Sequence, residues 1–326
     1  MTAKATSPRP GPAPTQAAGH VSACKPHAPA QAGSARLLVT CPDRSGIVAA
    51  VSGFLHQRGV NITHSDQHST DPEGGRFFLR QEFYLPGLEG RIDELARDFG
   101  REVAANYDMK WQLVSARRKK RMAVLVSRQD HALMDLLWRV GRGEMHAEVP
   151  VVISNHPDLG RAVESFGVQF QHVHVPEAGD APRTRGLSIP EERMMEILDG
   201  QPGGPVDFIV LARYMRILTP AFVKRFPQRI INIHHSFLPA FEGADPYRRA
   251  SERGVKLIGA TAHYVTGRLD KGPIIEQDVI RVSHRHRLDE LKLLGRDIER
   301  QVLSRAVRWH LEDRVLVDGN KTIVFA

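Results

Sequence analysis

The stretch ARLLVTCPDRSGIVAAVSGFLHQRGVNI, residues 35–62, holds the pattern from which the fold of the N-terminal half follows. Arg36–Thr40 has the composition of a strand, and the cluster at 42–46, with Pro, Asp, Ser and Gly, predicts a turn. The apolar residues that follow recur at helical spacing until Gly59 ends the helix, and Asn61 opens a second strand. The stretch therefore predicts a strand-helix-strand unit.

Strand-like alternation and helical spacing of apolar residues both continue beyond this unit. Residues 74–86 alternate apolar and polar side chains as a third strand, residues 91–108 carry a second helix, and residues 109–116 a fourth strand. The order β-α-β-β-α-β is the ferredoxin-like arrangement. We therefore predict an α+β domain over 36–116. Residues 1–34, which are rich in Pro, Ala, Gly and Ser and contain no acidic residue, predict a disordered tail.

The rest of the chain, 122–326, alternates short apolar strands with helices, and the basic run 117–121 is interpreted as the linker between two domains. Strands that alternate with helices predict a doubly wound, mostly parallel α/β sheet. The helix over 291–313 is expected to close the domain. Ligands of such sheets bind at the carboxyl ends of the strands.

Composition restricts the function classes. The 326 residues carry a formal charge of +8, but the basic residues are spread along the chain and no nucleic-acid recognition motif accompanies them. No apolar run approaches the ~20 residues of a membrane span. The two cysteines, Cys24 and Cys41, do not form a C-x-x-C pair, which favours a reduced, cytoplasmic setting. We expect neither nucleic-acid nor membrane partners.

Polar side chains end one of the predicted strands, in the segment INIHHSFLPAFEG at 231–243. The Asn232 amide can donate to a developing oxyanion, and His234 can donate to the same oxygen or transfer a proton. Strand alternation sends Asn232 and His234 to one face and His235 to the other, so His235 is assigned to support or substrate framing. Asp270, in a turn, can hold a water or take its proton. These residues predict acyl chemistry with an outside nucleophile.

Other interpretations of the same residues remain open. Each polar side chain is also compatible with a purely structural role at a strand end or in a turn. Ser236 is a candidate for a covalent route, although nothing places it in a nucleophile elbow. A zinc site is conceivable from His234, His235, His263 and Asp270, but no H-E-x-x-H spacing exists and we expect no metal.

Two resemblances make the prediction specific. The N-terminal unit, with DRSGIVAAVSGFLHQRGVNI, closely resembles an ACT domain, a family in which the loop after strand one and the start of strand two meet a partner domain and hold a small ligand. Asp43, Gly46 and Asn61 fall on those positions. The segments NIHHSFLPAFEG and GVKLIGATAHYVTGRLDKGPIIEQDV resemble the formyltransferase fold. The combination with the doubled histidine resembles the formyltetrahydrofolate deformylase family from about Arg36 to the C-terminus.

The resemblance implies an activity and a set of roles. The reaction would be hydrolysis of 10-formyltetrahydrofolate to tetrahydrofolate and formate, which supplies formate for purine synthesis and balances the one-carbon folate pool. Asn232, a protonated His234 and Asp270 match the catalytic positions, and no cofactor beyond the folate substrate is implied. LARYMRILTP matches the folate-binding segment, so the pocket is expected to contain Met215, Arg216, Ile217 and Leu218, together with His235, Gly243 and His263.

The resemblance also bears on partners and on rival functions. It implies a homo-oligomer and a small effector, such as an amino acid, at the ACT domain. Asp245 departs from the family, which usually has a basic residue there. Two alternatives are a formyltransferase to an amine such as glycinamide ribonucleotide, and an ACT-type sensor with an inactive second domain. The transferase alternative is disfavoured by the segment VLVSRQDHALMDLL, which contains the loop after the first predicted strand of the second domain. This loop has no glycine to bring backbone N–H groups close to a phosphate, and it carries Asp130 instead.

Overall fold

The computed structural model of the chain describes residues 32–71, 73–176, 183–184, 186–239 and 245–326. The tail expected over 1–34 lies outside these ranges except for 32–34, and Ser34 is already the first residue of a strand. None of the helices in these ranges is long and apolar enough to span a bilayer.

The N-terminal domain is an antiparallel four-stranded sheet with helices packed on one face. Its elements are β1 (Ser34–Pro42), α1 (Ile47–Gln57), β2 (Asn61–Ser69), β3 (Arg76–Tyr84), a 3-10 turn (Leu88–Gly90), α2 (Ile92–Glu102), a second 3-10 turn (Ala104–Tyr107) and β4 (Lys110–Ser115). The strand order is β2-β3-β1-β4, and every neighbouring pair is antiparallel. The predicted ferredoxin-like fold is confirmed.

Strand alternation in β1 decides which side chains build this core. Leu37 and Val39 face the helices and join the buried cluster that contains Phe54 and Phe99. These two rings meet edge to face with centroids 5.3 Å apart, an arrangement that the ring quadrupoles favour. The opposite face of the sheet is therefore free to pack against the second domain.

The C-terminal domain is built on a large mixed sheet covered by helices. Its elements are β5 (Lys120–Val126), α3 (His131–Gly141), β6 (Ala147–Glu148), β7 (Val151–Ser154), α4 (Gly160–Glu164), β8 (Gln169–His172), β9 (Arg183–Thr184), β10 (Leu187–Ser188), α5 (Ile189–Asp199), β11 (Phe208–Ala212), α6 (Pro220–Arg225), β12 (Ile230–His234), α7 (Pro246–Arg253), β13 (Leu257–Tyr264), β14 (Ile274–Arg281), α8 (Leu288–Leu311), β15 (Val315–Asp318) and β16 (Lys321–Val324).

The strand order of this sheet places the site. The order is β14-β13-β12-β11-β5-β7-β8, with β6 beside β5. The strands from β12 to β8 are parallel, whereas β13 and β14 are antiparallel additions at one edge. The expectation of a mostly parallel, doubly wound sheet is thus confirmed. The carboxyl ends of β5, β11 and β12 meet at one edge, where the chemistry of such sheets is found.

Two local expectations differ from the structure. The last helix does not close the domain, because a hairpin of β15 and β16 follows it. The sequence VDGNK at its tip, with Gly319 at φ 60°, is a hairpin signal that the sequence interpretation passed over. The basic run 117–121 is only partly a linker, since Lys120 and Arg121 are the first residues of β5 and Arg121 is buried.

The two domains pack through arginines of the first and the C-terminal end of α8. Arg80 of β3 has no exposed surface, and its Nη2 donates to the backbone oxygen of Glu312 at 3.0 Å. Arg36 of β1 donates to the backbone oxygen of Leu311 and to Asp313 at 3.4 and 3.2 Å. Cations at the end of a helix satisfy its last carbonyls and complement its dipole, so these contacts fix the orientation of the ACT-like sheet.

Candidate active site

The antiparallel register between β12 and β13 builds the floor of the candidate site. Asn232 lies opposite His263, and His234 lies opposite Thr261. The Asn232 Nδ2 and His263 Nε2 atoms are 3.2 Å apart. The Nδ1 atom of His263 lies 3.0 Å from the backbone oxygen of Tyr264, to which it donates. The contact with Nε2 fixes the orientation of the Asn232 amide.

The turn between β13 and β14 brings the carboxylate to this floor. Asp270 has φ 52°, a left-handed conformation that aspartate tolerates better than most residues. Its two oxygens lie 3.4 Å from His234 Nδ1 and 3.7 Å from His263 Nε2. The structure thus brings together Asn232, His234 and Asp270, the three residues that the sequence singled out for chemistry.

Burial decides the charge of His234. The residue is 6% exposed, and burial lowers its pKa below the ordinary value of 6.5, although the Asp270 charge opposes this. A proton on Nδ1 faces the Asp270 carboxylate, which leaves the lone pair of the neutral ring on Nε2. Nε2 is buried and has no hydrogen-bond partner among the residues that the structure describes. The lowered pKa favours a neutral imidazole in the free protein, whereas the resemblance implies a protonated His234.

The environment keeps Asp270 ionised. The adjacent His263 side chain holds the pKa of Asp270 below its ordinary value, burial acts in the opposite direction, and His234 adds to the lowering. A neutral histidine beside an ionised aspartate is the pair that accepts a proton and then stabilises the imidazolium that forms.

His235 is placed differently from the prediction. It follows the last residue of β12, so strand alternation no longer applies, and its ring lies 5.2 Å from that of His234 rather than on the opposite face. It also packs on Tyr247 with centroids 5.9 Å apart. Burial lowers the pKa of His235 to about 3, and the Arg213 charge adds to this effect. His235 is thus a neutral packing wall of the site.

A cleft of about 320 Å³ opens above these residues. The expected folate segment lines it through Met215, Arg216, Ile217 and Leu218, and so do His235 and His263. Ile217 is 76% exposed and Met215 is 55% exposed, which is unusual for apolar side chains beside a polar floor. Exposed apolar surface of this kind is typical of a binding site. Gly243, the other expected pocket residue, lies outside the described residues.

Hydrogen bonds to a residue after β5 and to helix α5 hold this segment. The hydroxyl of Ser127, after β5, accepts from the Met215 N–H at 2.9 Å and donates to Asn155 at 2.7 Å. The buried carboxylate of Glu191 accepts from the Thr219 N–H at 2.6 Å. The pocket wall is therefore anchored at both ends before any ligand binds.

The sequence interpretation missed several residues of the cleft. Arg213, Val265, Arg268 and Leu269 also line it. Val265 to Leu269 belong to the turn that carries Asp270, so proximity to that aspartate was the available signal. No sequence pattern indicated Arg213 as a cleft residue, because its position depends on a left-handed backbone conformation that the sequence does not predict for an arginine.

Neither the covalent route through Ser236 nor the zinc site matches the arrangement of the described side chains. Ser236 lines a separate, mainly apolar cavity of about 300 Å³ on the other side of His235 rather than the cleft. Within the described ranges, no group of three or more His, Cys, Asp or Glu side chains is arranged to hold a metal ion. The four residues considered as a zinc set are therefore not disposed as ligands in this part of the chain.

The ACT ligand candidates do not meet within one chain. Asp43 and Gly46 follow the end of β1, and the Asp43 carboxylate accepts from the Ser69 hydroxyl. Asn61 pairs with Tyr84, which also pairs with Ser34 at the start of β1. The length of β1, roughly 26 Å at ~3.3 Å per residue, separates the two groups. A site that uses all three residues needs a second ACT domain.

Comparisons with known proteins agree with the geometry. The Formyl transferase family model matches residues 120–307, and the ACT domain model matches residues 35–82. The chain is 56% identical to formyltetrahydrofolate deformylase of Mycobacterium bovis over 89% of this chain and 90% of that protein. It is 54% identical to that of Bacillus subtilis, over 89% and 93% of the two chains.

A solved structure supports the same assignment at the level of the whole fold. The crystal structure of a formyltetrahydrofolate deformylase from Pseudomonas syringae superposes with a TM-score of 0.82 at 45% identity, covering 90% of this chain and 94% of that one. The similarity therefore spans both domains and the turn that carries Asp270. The chain belongs to the formyltetrahydrofolate deformylase family.

Proposed function

We propose that this protein hydrolyses 10-formyltetrahydrofolate to tetrahydrofolate and formate, which supplies formate for purine synthesis and balances the one-carbon folate pool. The observation that carries the proposal is the placement of Asn232, His234 and Asp270 on the floor of a cleft whose mouth is apolar. A flat pterin ring covers the exposed Met215 and Ile217 side chains, and the formyl group then points to the polar floor. No cofactor beyond the folate is needed for this chemistry.

The proton transfers follow from the charge states. The neutral His234 takes a proton through Nε2 as a water molecule attacks the formyl carbon. Asn232 donates to the oxygen that becomes negative, and Asp270 stabilises the imidazolium. The imidazolium then gives its proton to N10 as the C–N bond breaks. This order assigns the base to His234 and the orienting charge to Asp270.

Incubation of the purified protein with 10-formyltetrahydrofolate and glycinamide ribonucleotide tests the proposal against the transferase alternative. We expect formate as the product whether or not the amine is present, and no formylated ribonucleotide. The loop before α3 has no glycine that would let a phosphate approach the backbone closely, and the exposed Asp130 places a negative charge there, which Arg128 offsets only in part. Quantifying formate and formylated ribonucleotide distinguishes the two reactions, and formylated ribonucleotide as the main product would refute the proposed hydrolysis. A chain that makes neither product would instead fit the sensor alternative.

The pH dependence follows from the lowered pKa of His234. The base acts only when it is neutral, so the rate is lost as the pH falls through its pKa, which lies below 6.5. We expect kcat/KM to be constant near neutrality and to fall tenfold per pH unit on the acid side. The measurement is enzyme-dependent formate release between about pH 5 and about pH 8 against an enzyme-free blank. An acid limb centred above 6.5 would contradict the assignment of the base.

We also propose that the chain forms a homo-oligomer through its ACT domains and that a small effector, such as an amino acid, binds between two copies. The separation of Asp43 and Gly46 from Asn61 along β1 supports this, because pairing two domains is the way to bring such groups together. Light scattering at micromolar concentration is expected to give a mass above that of one chain. A monomer under these conditions would remove the shared site.

A further inference from the structure

Arg213, the residue after β11, has an unusual backbone. Its φ is 62°, in the left-handed region that favours glycine, and four of the other five described non-glycine residues with positive φ are aspartates. Asp and Asn tolerate this region because their short side chains bond locally, whereas arginine has no such advantage. Residues in sparsely populated backbone conformations are often found at functional sites, which suggests a functional role for the Arg213 side chain.

The Arg213 side chain is held from one end. It is 7% exposed, its Nε donates to Gln129 at 2.8 Å, and Nε lies 3.5 Å from Glu299 of α8. Glu299, which is 1% exposed, also contacts Tyr247 Oη at 2.7 Å and His131 Nε2 at 2.8 Å. Residues 129–131, α7 and α8 thus hold Arg213 in place, directly or through Glu299.

The Nη1 atom of Arg213 has no hydrogen-bond acceptor among the described residues. This atom is buried, although the side chain lines the same cleft as His234 and Asp270. A buried donor left unpaired is costly. A guanidinium presents its donors in a planar fork that matches a carboxylate. The missing acceptor is therefore expected to be an anionic oxygen that enters the cleft.

Hydrolysis of the formyl group produces such an oxygen. Water forms a bond to the formyl carbon while its proton passes to His234, and the C–N10 bond then breaks as N10 takes that proton. The carbon leaves as formic acid, which loses its remaining proton to solvent and becomes formate. We propose that Arg213 is the formate-binding residue of the cleft, contacting the water-derived oxygen through Nη1, and that Glu299 and Gln129 position it.

This assignment rests on the proposed hydrolysis. It also explains why the formyl group is transferred to water rather than to an amine. The water-derived oxygen keeps lone pairs throughout the reaction and ends with a negative charge, so a fixed donor suits it. The nitrogen of a formylated amine offers no lone pair to that donor. Arg213 would thus favour water over an amine as the acceptor.

Product inhibition by sodium formate tests the inference, with sodium chloride as the ionic-strength control. In Arg213→Lys, which keeps the charge but not the fork, we expect the inhibition constant for formate to rise about 10- to 100-fold while the KM for the folate stays near that of the wild type. An unchanged inhibition constant in a folded Arg213→Lys protein would overturn the proposal.

A second variant separates contact from folding. Arg213→Gly suits the backbone conformation, and we expect low concentrations of guanidinium chloride to restore part of its lost turnover. Gln228→Gly, at an exposed residue with φ 56°, is the matched control and should keep full activity. No restoration in a folded Arg213→Gly protein would indicate that Arg213 only neutralises Glu299.

Thermal unfolding distinguishes failure of this inference from failure of the proposed function. With tetrahydrofolate present, formate should raise the Tm of the wild type but not of Arg213→Lys. A protein that releases no formate from 10-formyltetrahydrofolate would refute the proposed function, yet this difference in Tm would still support the site. Equal formate-dependent shifts in both proteins would refute the site while leaving the hydrolysis intact.

Discussion

His234→Ala is expected to lower kcat for formate release by about 10²–10⁴-fold. The variant removes the Nε2 lone pair that the proposed base uses to take the proton. Asn232 and the pocket wall remain, so binding of the folate should change much less than turnover. The measurement is kcat and KM for 10-formyltetrahydrofolate, with the Tm to verify that the protein is folded.

Two further variants test the role of Asp270 and provide a control for the histidine substitution. Asp270→Asn keeps the shape of the side chain but removes the charge that stabilises the imidazolium, so its loss of kcat is also expected to reach about two orders of magnitude. His284→Ala, at an exposed histidine in the loop before α8, should leave kcat unchanged. Turnover near that of the wild type in His234→Ala would remove the proposed base.

Much of this site is readable from sequence because it follows from local patterns. An apolar run that ends in Asn232 and His234 predicts polar groups at the carboxyl end of a strand, and the architecture places ligands there. The segment 215–218, in which Met215 and Ile217 are exposed, is likewise contiguous in sequence. By contrast, the contact between Asn232 and His263 depends on the register of β12 and β13, which no local pattern specifies.

Charge states and long-range contacts were less predictable. The resemblance implies a protonated His234, whereas burial lowers its pKa and favours the neutral ring. Burial is a property of the packed domain rather than of neighbouring residues in the sequence. Arg80 contacts the end of α8 across 232 positions of sequence, and Arg213, the residue after β11, contacts Glu299 of α8. Such contacts arise only when the domains and the sheet are assembled.

Gly272→Ala is expected to reduce kcat as strongly as the loss of a reacting group, although Gly272 contacts no substrate. The turn from 265 to 273 returns so tightly that a Cβ at this position would lie 1.7 Å from the backbone oxygen of Tyr264. That oxygen belongs to rigid backbone and accepts from His263 Nδ1 at 3.0 Å, so it cannot move without disturbing the histidine. The turn must therefore open, and it carries Asp270 with it.

The expected size of the effect follows from the geometry of Asp270. Its oxygens lie 3.4 and 3.7 Å from His234 and His263, and a displacement of about 1 Å typically costs about 100-fold in rate. Gly141→Ala, at a helical glycine with nothing within 4 Å of the added carbon, controls for the substitution itself and should keep full activity. Formate release and Tm are measured for both variants. A folded Gly272→Ala protein with normal kcat would mean that the position of Asp270 does not limit the reaction, and the orienting role assigned to this carboxylate would have to be withdrawn.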